Sequence, residues 1–308
     1  MSKAGAEIVI SKPVVTQLRP MIRCREIGAS DLDAIAALLT RGFAGRSHDY
    51  WMSGLKRQGA REVPEGYPRF GYMLDHEGMP VGVLLLLYSA REEVGEAVIR
   101  CNLSSWYVEP AFRNYAPMLT KIAQRHKEVT YINVSPASWT WRIVEAQGFR
   151  PYCSGLFCSF PALSRASHGM TVEIISRYVR SVEGLSESET ALLARHAACG
   201  CLGLVCRTAD GRAFPFILQP MRIRSGRFAP PAMQLIYCHD IADYIACAGT
   251  IGRFLLSRGK IAVLLDANRR MEGLIGFYTR ARGRKYFKGP HCPRLGDLAD
   301  TELAIYGP

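Results

Sequence analysis

Residues 101–149 read CNLSSWYVEPAFRNYAPMLTKIAQRHKEVTYINVSPASWTWRIVEAQGF, and this segment decides the fold. It contains two strand-like runs, at residues 101–108 and 130–134. Each run is followed by a turn and then by a stretch with the spacing of an amphipathic helix. This order of elements is typical of a crossover unit, in which the two strands lie parallel and adjacent in one sheet.

The turn before the first of these helices is a candidate anion site. The start of a helix presents backbone N–H groups and the positive end of the peptide dipoles, and both favour phosphate. Pro117 suits a first helical turn, and Arg113, four residues earlier, places a guanidinium beside the same anion. In the alternative interpretation Arg113 is a solvated loop residue and Pro117 only starts a helix. Both interpretations stay open on local grounds.

The same residues resemble a known signature. In the GNAT family of acyl-CoA-dependent acyltransferases, a strand ending in Val-x-Pro precedes a phosphate loop of the form Arg/Gln-x-x-Gly-x-Gly/Ala. Val108, Pro110 and Arg113 match this pattern, whereas Ala116 and Met118 stand at the glycine positions. Side chains there narrow the space for a diphosphate to approach the backbone, because only glycine lacks a Cβ.

A later signature of the family is partly met. Glu145, Gly148 and Phe149 match it, and it is missed at Ala137, Thr140 and Val144. The resemblance covers roughly residues 22–160 and depends more on the order of elements than on any single residue. It implies an α/β (α+β) fold with a mixed central sheet of the GNAT acyltransferase type.

The resemblance also implies site residues. Backbone N–H groups of the first strand would polarise the acyl carbonyl, a form of oxyanion stabilisation, and the following loop would bind the diphosphate of acyl-CoA. The expected cofactor-binding residues are Trp106, Tyr107, Val108, Arg113, Asn114, Tyr115, Ala116 and Met118.

The acid and the base are less clearly marked. Val144 stands where many family members have the tyrosine that protonates the departing thiolate. Tyr152 is the nearest replacement, and its alternative role is that of a tyrosine at the edge of the core. Glu96, in the acidic run REEVGEA, is the candidate general base, although such a cluster between strands also suits a solvated turn.

The second half of the chain repeats the layout of elements, which predicts two GNAT-like halves in tandem. His239 and Asp240 replace the phosphate loop there, so the second half is expected to lack its own CoA site. An Asp that caps a turn is the favoured interpretation of this pair. The predicted divisions are an N-terminal arm at 1–20, a first domain at 21–160, a linker at 161–170 and a second domain at 171–308.

Two further local predictions concern the ends of the halves. RPYCSGLFCSF (residues 150–160) is predicted to supply the closing strands of the first domain. RRMEGLIGFY (residues 269–278) is predicted to form a helix of the second.

Composition limits the remaining possibilities. The formal net charge of +12 implies an anionic partner or simply solubility, and CoA phosphates are one candidate. No nucleic-acid motif accompanies the charge, so nucleic acid is not expected. The longest apolar run, residues 81–88, is too short to span a bilayer, and no secretory signal is visible, which predicts a cytoplasmic protein.

The ten cysteines show no framework of paired spacings, as expected for reduced thiols. His196, Cys199, Cys201 and Cys206 invite a zinc interpretation. They lack the second Cys or His pair of a closed structural site, so no metal is expected.

Together these observations predict an acyl-CoA-dependent acyltransferase. An amine or hydroxyl acceptor would attack acetyl-CoA or a longer acyl-CoA directly in a ternary complex, where proximity and carbonyl polarisation supply most of the rate. Two alternatives stay open: a catalytically silent acyl-CoA sensor or scaffold, favoured by the missing glycines and tyrosine, and aminoacyl transfer from a charged tRNA. The sequence does not separate a small-molecule, glycan or peptide acceptor.

Overall fold

The structure is a computed structural model that describes residues 22–93, 96–222 and 231–307. The predicted N-terminal arm lies outside these residues. Burial of the side chains is described throughout these ranges except at 92–93, 96–97 and 222.

The first half contains most of the helices. Its strands and helices, in chain order, are β1 (Ile22–Glu26), α1 (Leu32–Gly42), α2 (His48–Gly59), β2 (Gly71–His76), β3 (Met79–Glu93), β4 (Glu96–Val108), α3 (Ala116–Ala123), β5 (Thr130–Asn133), α4 (Trp141–Ala146), β6 (Arg150–Cys153) and β7 (Gly155–Ser159).

The second half has a single helix where the first half has α1 and α2. Its elements are β8 (Thr171–Ile175), α5 (Glu187–Ala198), β9 (Leu202–Arg207), β10 (Ala213–Arg222), β11 (Pro231–Cys238), α6 (Ile241–Leu256), β12 (Ala262–Ala267), β13 (Gly276–Thr279), β14 (Lys285–Lys288) and α7 (Glu302–Ile305).

These strands form two seven-stranded sheets with the same pattern. The first has the order β1-β2-β3-β4-β5-β14-β6, and the second, read from its other edge, has the order β8-β9-β10-β11-β12-β7-β13. In each sheet one central pair is parallel, β4 with β5 and β11 with β12, and the other neighbours are antiparallel. The predicted α/β class with mixed central sheets is therefore confirmed, as is the parallel crossover through α3.

The two sheets exchange a strand. β7 belongs to the first half in sequence but pairs with β12 and β13 of the second sheet. β14 belongs to the second half in sequence but lies between β5 and β6 of the first sheet. The prediction that residues 150–160 close the first domain is thus right for β6 and wrong for β7. An apolar run indicates that a strand is buried, but it does not say in which of two similar sheets.

The exchange gives the halves a common core. Ile132 and Phe287 of the first sheet belong to one buried cluster with Ile217 and Ile236 of the second sheet and Leu193 of α5. The predicted division at residues 161–170 stays a prediction. β7 precedes it in sequence but completes the second sheet, and β14 follows it but completes the first sheet.

Residues 81–88 of β3 form the centre of the first sheet. Val83, Leu85 and Leu87 face α1 and α2, whereas Leu84 and Leu86 face the α3 side. A strand buried on both faces reads as a continuous apolar run, which explains the longest such run in the sequence.

The predicted helix at residues 269–278 is wrong. The structure has a loop at 268–275, followed by β13. Gly273 adopts a φ of 82°, and a Cβ on Gly276 would lie 2.1 Å from the carbonyl oxygen of Cys158. The glycines thus mark a turn and a close backbone approach. The apolar residues around them have a spacing that fits a strand as well as a helix.

Removal of one partner of the buried ion pair between the exchanged β14 and β12 should destabilise the fold. Lys285 Nζ lies 2.8 Å from Asp266 Oδ1, and both side chains are almost completely buried. Lys285→Met should lower the free energy of unfolding by about 3–5 kcal/mol, because it leaves an uncompensated buried carboxylate. Urea denaturation measures this loss, and Lys56→Met on the exposed face of α2 is the control. Equal midpoints for the two variants would contradict the prediction.

Candidate functional site

The gap between β4 and β5 is the centre of the candidate site. The two strands pair only between Arg100–Asn102 and Thr130–Ile132. Beyond this point β4 continues to Val108 whereas β5 ends at Asn133. The carboxyl ends of the two parallel strands therefore separate, and such a separation is the usual place for a ligand in an open α/β sheet.

A β-bulge shapes the β4 side of the gap. Register with β3 shifts so that Ser105 and Trp106 together stand opposite the single residue Leu84. Ser105 has a φ of 51°, in the left-handed region that is rare for a residue with a side chain. A bulge leaves one residue out of the ladder and redirects the side chains around it, and such features recur beside active sites.

The three strand residues predicted to polarise the carbonyl lie at and after this bulge. Trp106 packs on the α3 face of the sheet, and its indole N–H is buried without a hydrogen-bond partner among the described residues. Tyr107 packs on the opposite face against Phe43. Val108 is buried on the α3 face.

The predicted phosphate loop is a 3-10 helix. Residues 110–115 form it, and it continues into α3 with Pro117 in the first turn, as the sequence predicted. The backbone N–H groups of Phe112 and Ala116 donate to the carbonyls of Glu109 and Arg113, so these two amides are already engaged. The exposed side chains here are those of Arg113, Asn114, Tyr115 and Met118, and Ala116 is half-buried.

The C-terminal strap, residues 295–307, brings the second half to this gap. It begins beside β11, where the amide of Leu298 donates to the carbonyl of Ile236 at 2.7 Å and Cys238 donates to Gly296. It then crosses to the first sheet. There Asn102 Oδ1 accepts a hydrogen bond of 2.7 Å from the amide of Glu302, the first residue of α7.

Two buried carboxylates fix the middle of the strap. Asp297 pairs with the Arg100 guanidinium at 3.0 Å, and Asp300 pairs with that of Arg195 at 2.9 Å. Arg91 reaches both carboxylates. The guanidinium groups hold the pKa of Asp297 and that of Asp300 below the ordinary value although burial acts in the opposite direction.

Glu302 places a carboxyl group at the mouth of the gap. Its carboxylate accepts hydrogen bonds from the hydroxyls of Ser104, on β4, and Ser135, just after β5. Burial raises the pKa of Glu302 above its ordinary value, and the two hydroxyls act in the opposite direction. A raised pKa makes this carboxylate a stronger base than an ordinary glutamate, and its place between the separated ends of the parallel strands suits it to accept a proton.

Sequence reasoning missed Glu302. It lies in the short run TELAIYGP at the end of the sequence, far from the strands that it contacts. One signal was present on the other side: Asn102, Ser104 and Ser105 are polar residues inside the otherwise apolar run at residues 101–108. Because buried polar groups require hydrogen-bond partners, these residues indicated a polar partner without identifying it.

Tyr152 lies in the core shared by the two halves. Its ring is 6.2 Å from that of Phe287, edge to face, and its hydroxyl has no hydrogen-bond partner in the part of the chain that is described. Burial raises the pKa of Tyr152 well above its ordinary value. Its role as the acid stays a prediction.

Glu96 stays an untested prediction as well, because its side chain lies outside the part that the structure describes. Its backbone begins β4 and pairs with Glu93 at the hairpin end. It precedes Ser104 by eight residues, which places it about 26 Å along the strand from the bulge.

The corresponding gap of the second sheet is occupied. β11 and β12 pair over Ala232–Gln234 and Ala262–Leu264, and beyond this point residues 296–298 of the strap bond to β11. Asp240 caps α6 by accepting a hydrogen bond of 2.9 Å from Ala242 N. The interpretation of Asp240 as a capping residue is confirmed.

The described residues contain no group of three or more His, Cys, Asp or Glu side chains that could hold a metal ion. His196 is instead bonded within the fold, to the carbonyl of Leu192 and the amide of Asp300. Within the same residues, no helix is long and apolar enough to cross a membrane.

Comparison with known proteins finds similarity in three dimensions. No protein-family model and no curated protein matches the sequence. A GCN5-related N-acetyltransferase from Anabaena variabilis superposes with a TM-score of 0.55, at 11% identity, over 87% of this chain and 72% of its own. The chain has the GCN5-related N-acetyltransferase (GNAT) fold.

Two further solved structures agree. The GNAT protein from Kribbella flavida matches with a TM-score of 0.54, at 13% identity, over 87% of this chain and 70% of its own. A putative acetyltransferase from Pyrococcus horikoshii matches with a TM-score of 0.51, at 10% identity, over 93% of both chains. The predicted resemblance is thus confirmed at the level of the fold, and the two similar sheets fit the predicted tandem of GNAT-like halves.

Acid should loosen the attachment of the strap. Because the pKa values of Asp297 and Asp300 are lowered in the folded protein, their contribution to stability is present above the unfolded pKa of about 4 and is lost as the pH falls below it. Asp297→Asn should lower the free energy of unfolding at pH 7 by about 3–5 kcal/mol, since it leaves the buried guanidinium group of Arg100 without a carboxylate. It should also make the further loss on acidification smaller than in the wild type.

Urea denaturation across this pH range measures both effects. Asp49→Asn, at an exposed site on α2, is the control and should keep the wild-type pH dependence. An Asp297→Asn protein with the wild-type pH dependence would show that the ion pair does not carry the effect.

Proposed function

We propose that the first half transfers an acyl group from acyl-CoA to an amine or hydroxyl acceptor by direct attack in a ternary complex. The observation that carries the proposal is the gap between β4 and β5, with the bulge at Ser105 on one side and the Glu302 carboxyl group at its mouth. The GNAT fold adds support, because the solved structures that share it include proteins named as acetyltransferases.

The bulge would serve carbonyl polarisation. The bulge at Ser105 takes one residue of β4 out of the ladder with β3, and the N–H groups of Trp106, Tyr107 and Val108 are the proposed donors to the thioester oxygen. Donors fixed by the sheet need no reorganisation as negative charge develops on that oxygen, which lowers the barrier to attack.

The start of α3 would hold the diphosphate of the carrier. Arg113 is exposed there, and the Tyr115 side chain does not cap the helix. Asn114, Ala116 and Met118 complete the proposed contact surface. The backbone amide of Ala116 already donates to the backbone carbonyl of Arg113. The Arg113 guanidinium would therefore supply more of the attraction for the diphosphate than in a glycine-rich loop.

Glu302 is the proposed general base. It would accept the proton of the attacking amine or hydroxyl, while the hydroxyls of Ser104 and Ser135 orient its carboxylate. We assign this role to Glu302 in place of Glu96 because Glu96 is the first residue of β4, at the end of the strand away from the bulge. Tyr152 keeps the proposed role of thiolate acid, and burial, which raises its pKa, makes its hydroxyl a weaker acid than that of an exposed tyrosine.

The second half is proposed to lack a CoA site. Residues 296–298 stand in the gap of its sheet, and the Asp240 side chain takes the place of an anion at the start of α6. Its contribution to the reaction would be the strap, which carries Glu302 to the first sheet.

A silent acyl-CoA sensor is the second candidate. The observation that favours it is the 3-10 helix at residues 110–115, which engages amides of the predicted phosphate loop. The two functions differ in one readout, because a sensor binds acyl-CoA and releases no CoA thiol when amine and polyol acceptors are added.

Calorimetric titration with CoA, acetyl-CoA and longer acyl-CoAs tests the binding step. We expect at least one to bind, and Arg113→Gln to weaken binding by about tenfold because it removes one charge-assisted hydrogen bond to phosphate. Arg180→Gln, a charge-matched change outside the site, should bind as the wild type does. Absence of binding by every acyl-CoA would remove both candidate functions.

Glu302→Gln tests the catalytic step. We expect CoA release across an acceptor panel to fall by about 100-fold, because the variant cannot accept a proton, while acyl-CoA affinity stays unchanged. In the wild type the rate should rise with pH through the raised pKa of Glu302, and the variant should lack this rise. Glu187→Gln, at the exposed start of α5, is the control. Unchanged kinetics in Glu302→Gln would exclude it as the base.

A further inference from the structure

A crevice of about 470 Å³ lies in the second half, away from the β4/β5 gap. It opens at the carboxyl end of β12, between the loop at residues 268–275 and α6. Ala267 of β12 and Ile245 of α6 line it. Its volume is within the range of pockets that hold small molecules, and the ends of parallel strands are where such pockets form in α/β sheets.

The crevice exists because a loop replaces a helix. The first half places α4 after β5, whereas the second half follows β12 with the loop. The loop touches α6 closely at one point, since a Cβ on Gly273 would lie 2.8 Å from Ile245 Cγ2. Asn268 fixes the other end: its Oδ1 accepts from Ser154 N at 2.7 Å, and its Nδ2 donates to the Tyr152 carbonyl at 3.0 Å. The loop is therefore anchored at Asn268 and packed against α6 at Gly273.

Two adjacent guanidinium groups line this crevice. Arg269 and Arg270 are both exposed, and neither makes a hydrogen bond or an ion pair with any residue that the structure describes. Several other arginines of the chain, such as Arg100 and Arg195, are committed to carboxylates. A pair of uncommitted guanidinium groups at a concave surface is suited to bidentate binding of a carboxylate.

The remaining lining defines the rest of the ligand. Ile245, Met271 and Leu295 form an apolar wall, and Glu272 adds one negative charge. With Arg269 and Arg270 the lining carries a net charge of +1 (two positive charges and one negative), which suits a monoanion better than a phosphate group. Asp240 also occupies the start of α6, so that helix does not add a phosphate site.

We propose that this crevice binds a small organic carboxylate with an apolar body. The carboxylate pairs with Arg269 and Arg270, and the apolar body lies against Ile245, Met271 and Leu295. This binding does not depend on acyl transfer in the first half, and the two ligands occupy different sites.

Saturation-transfer NMR and calorimetry with the full chain test the proposal, with hexanoate and benzoate as probes. We expect both to bind, also when acyl-CoA is present, and the uncharged hexanamide to bind at least about tenfold more weakly because it loses the charge-assisted hydrogen bonds. Acetate should bind more weakly than hexanoate, since it leaves the apolar wall uncovered.

The double variant Arg269→Gln/Arg270→Gln should lose at least about tenfold in hexanoate affinity. Arg253→Gln on α6 is the control and should keep the wild-type affinity. Because both arginines of the crevice are exposed, the double variant should keep the wild-type circular dichroism spectrum. Absence of binding at millimolar concentration, equal affinity for hexanamide, tighter binding of inorganic phosphate, or unchanged binding in the double variant would each overturn the proposal.

Discussion

The ion pairs between the strap and four arginines, Arg61, Arg91, Arg100 and Arg195, are the constraint on which the arrangement depends. Arg91 and Arg100 come from the adjacent strands β3 and β4, and their partners Asp297 and Asp300 come from the strap. Buried charges are tolerated only when they are paired and hydrogen-bonded, so this network permits essentially one position of the strap. Glu302 follows Asp300 by two residues, and its place at the β4/β5 gap is a direct result.

The strap also explains why a ligand site is proposed at the central parallel pair of the first sheet and not at that of the second. Both sheets have a parallel central pair whose strands separate toward their carboxyl ends. In the second sheet the strap lies along β11, whereas in the first it contacts β4 through the side chains of Arg100, Asn102 and Glu302. One segment of chain thus closes one gap and equips the other with a carboxyl group. The tandem architecture therefore has an unequal pair of halves built from nearly equal sheets.

The sequence pattern predicted those features that depend on residues close together in the chain. The β4–α3–β5 unit, Pro117 in the first turn of α3 and the Asp240 cap each depend on neighbouring residues, and the structure has all three. The bulge at Ser105 was not predictable, because register depends on which residue of β3 stands opposite. The exchange of β7 and β14 and the place of Glu302 depend on contacts between distant parts of the chain. The loop at residues 268–275 was mistaken for a helix because its apolar spacing fits both periods.

The exchange of strands has a consequence for synthesis of the protein on the ribosome. The first sheet needs β14, which ends at Lys288, and so it remains incomplete until translation has passed that residue. β6, at its edge, has no neighbour to pair with before that moment, because β14 lies between it and β5. Nascent chains of this protein thus expose an unfinished sheet edge from the synthesis of β5 until that of β14, a state in which chaperone binding protects against association with other chains.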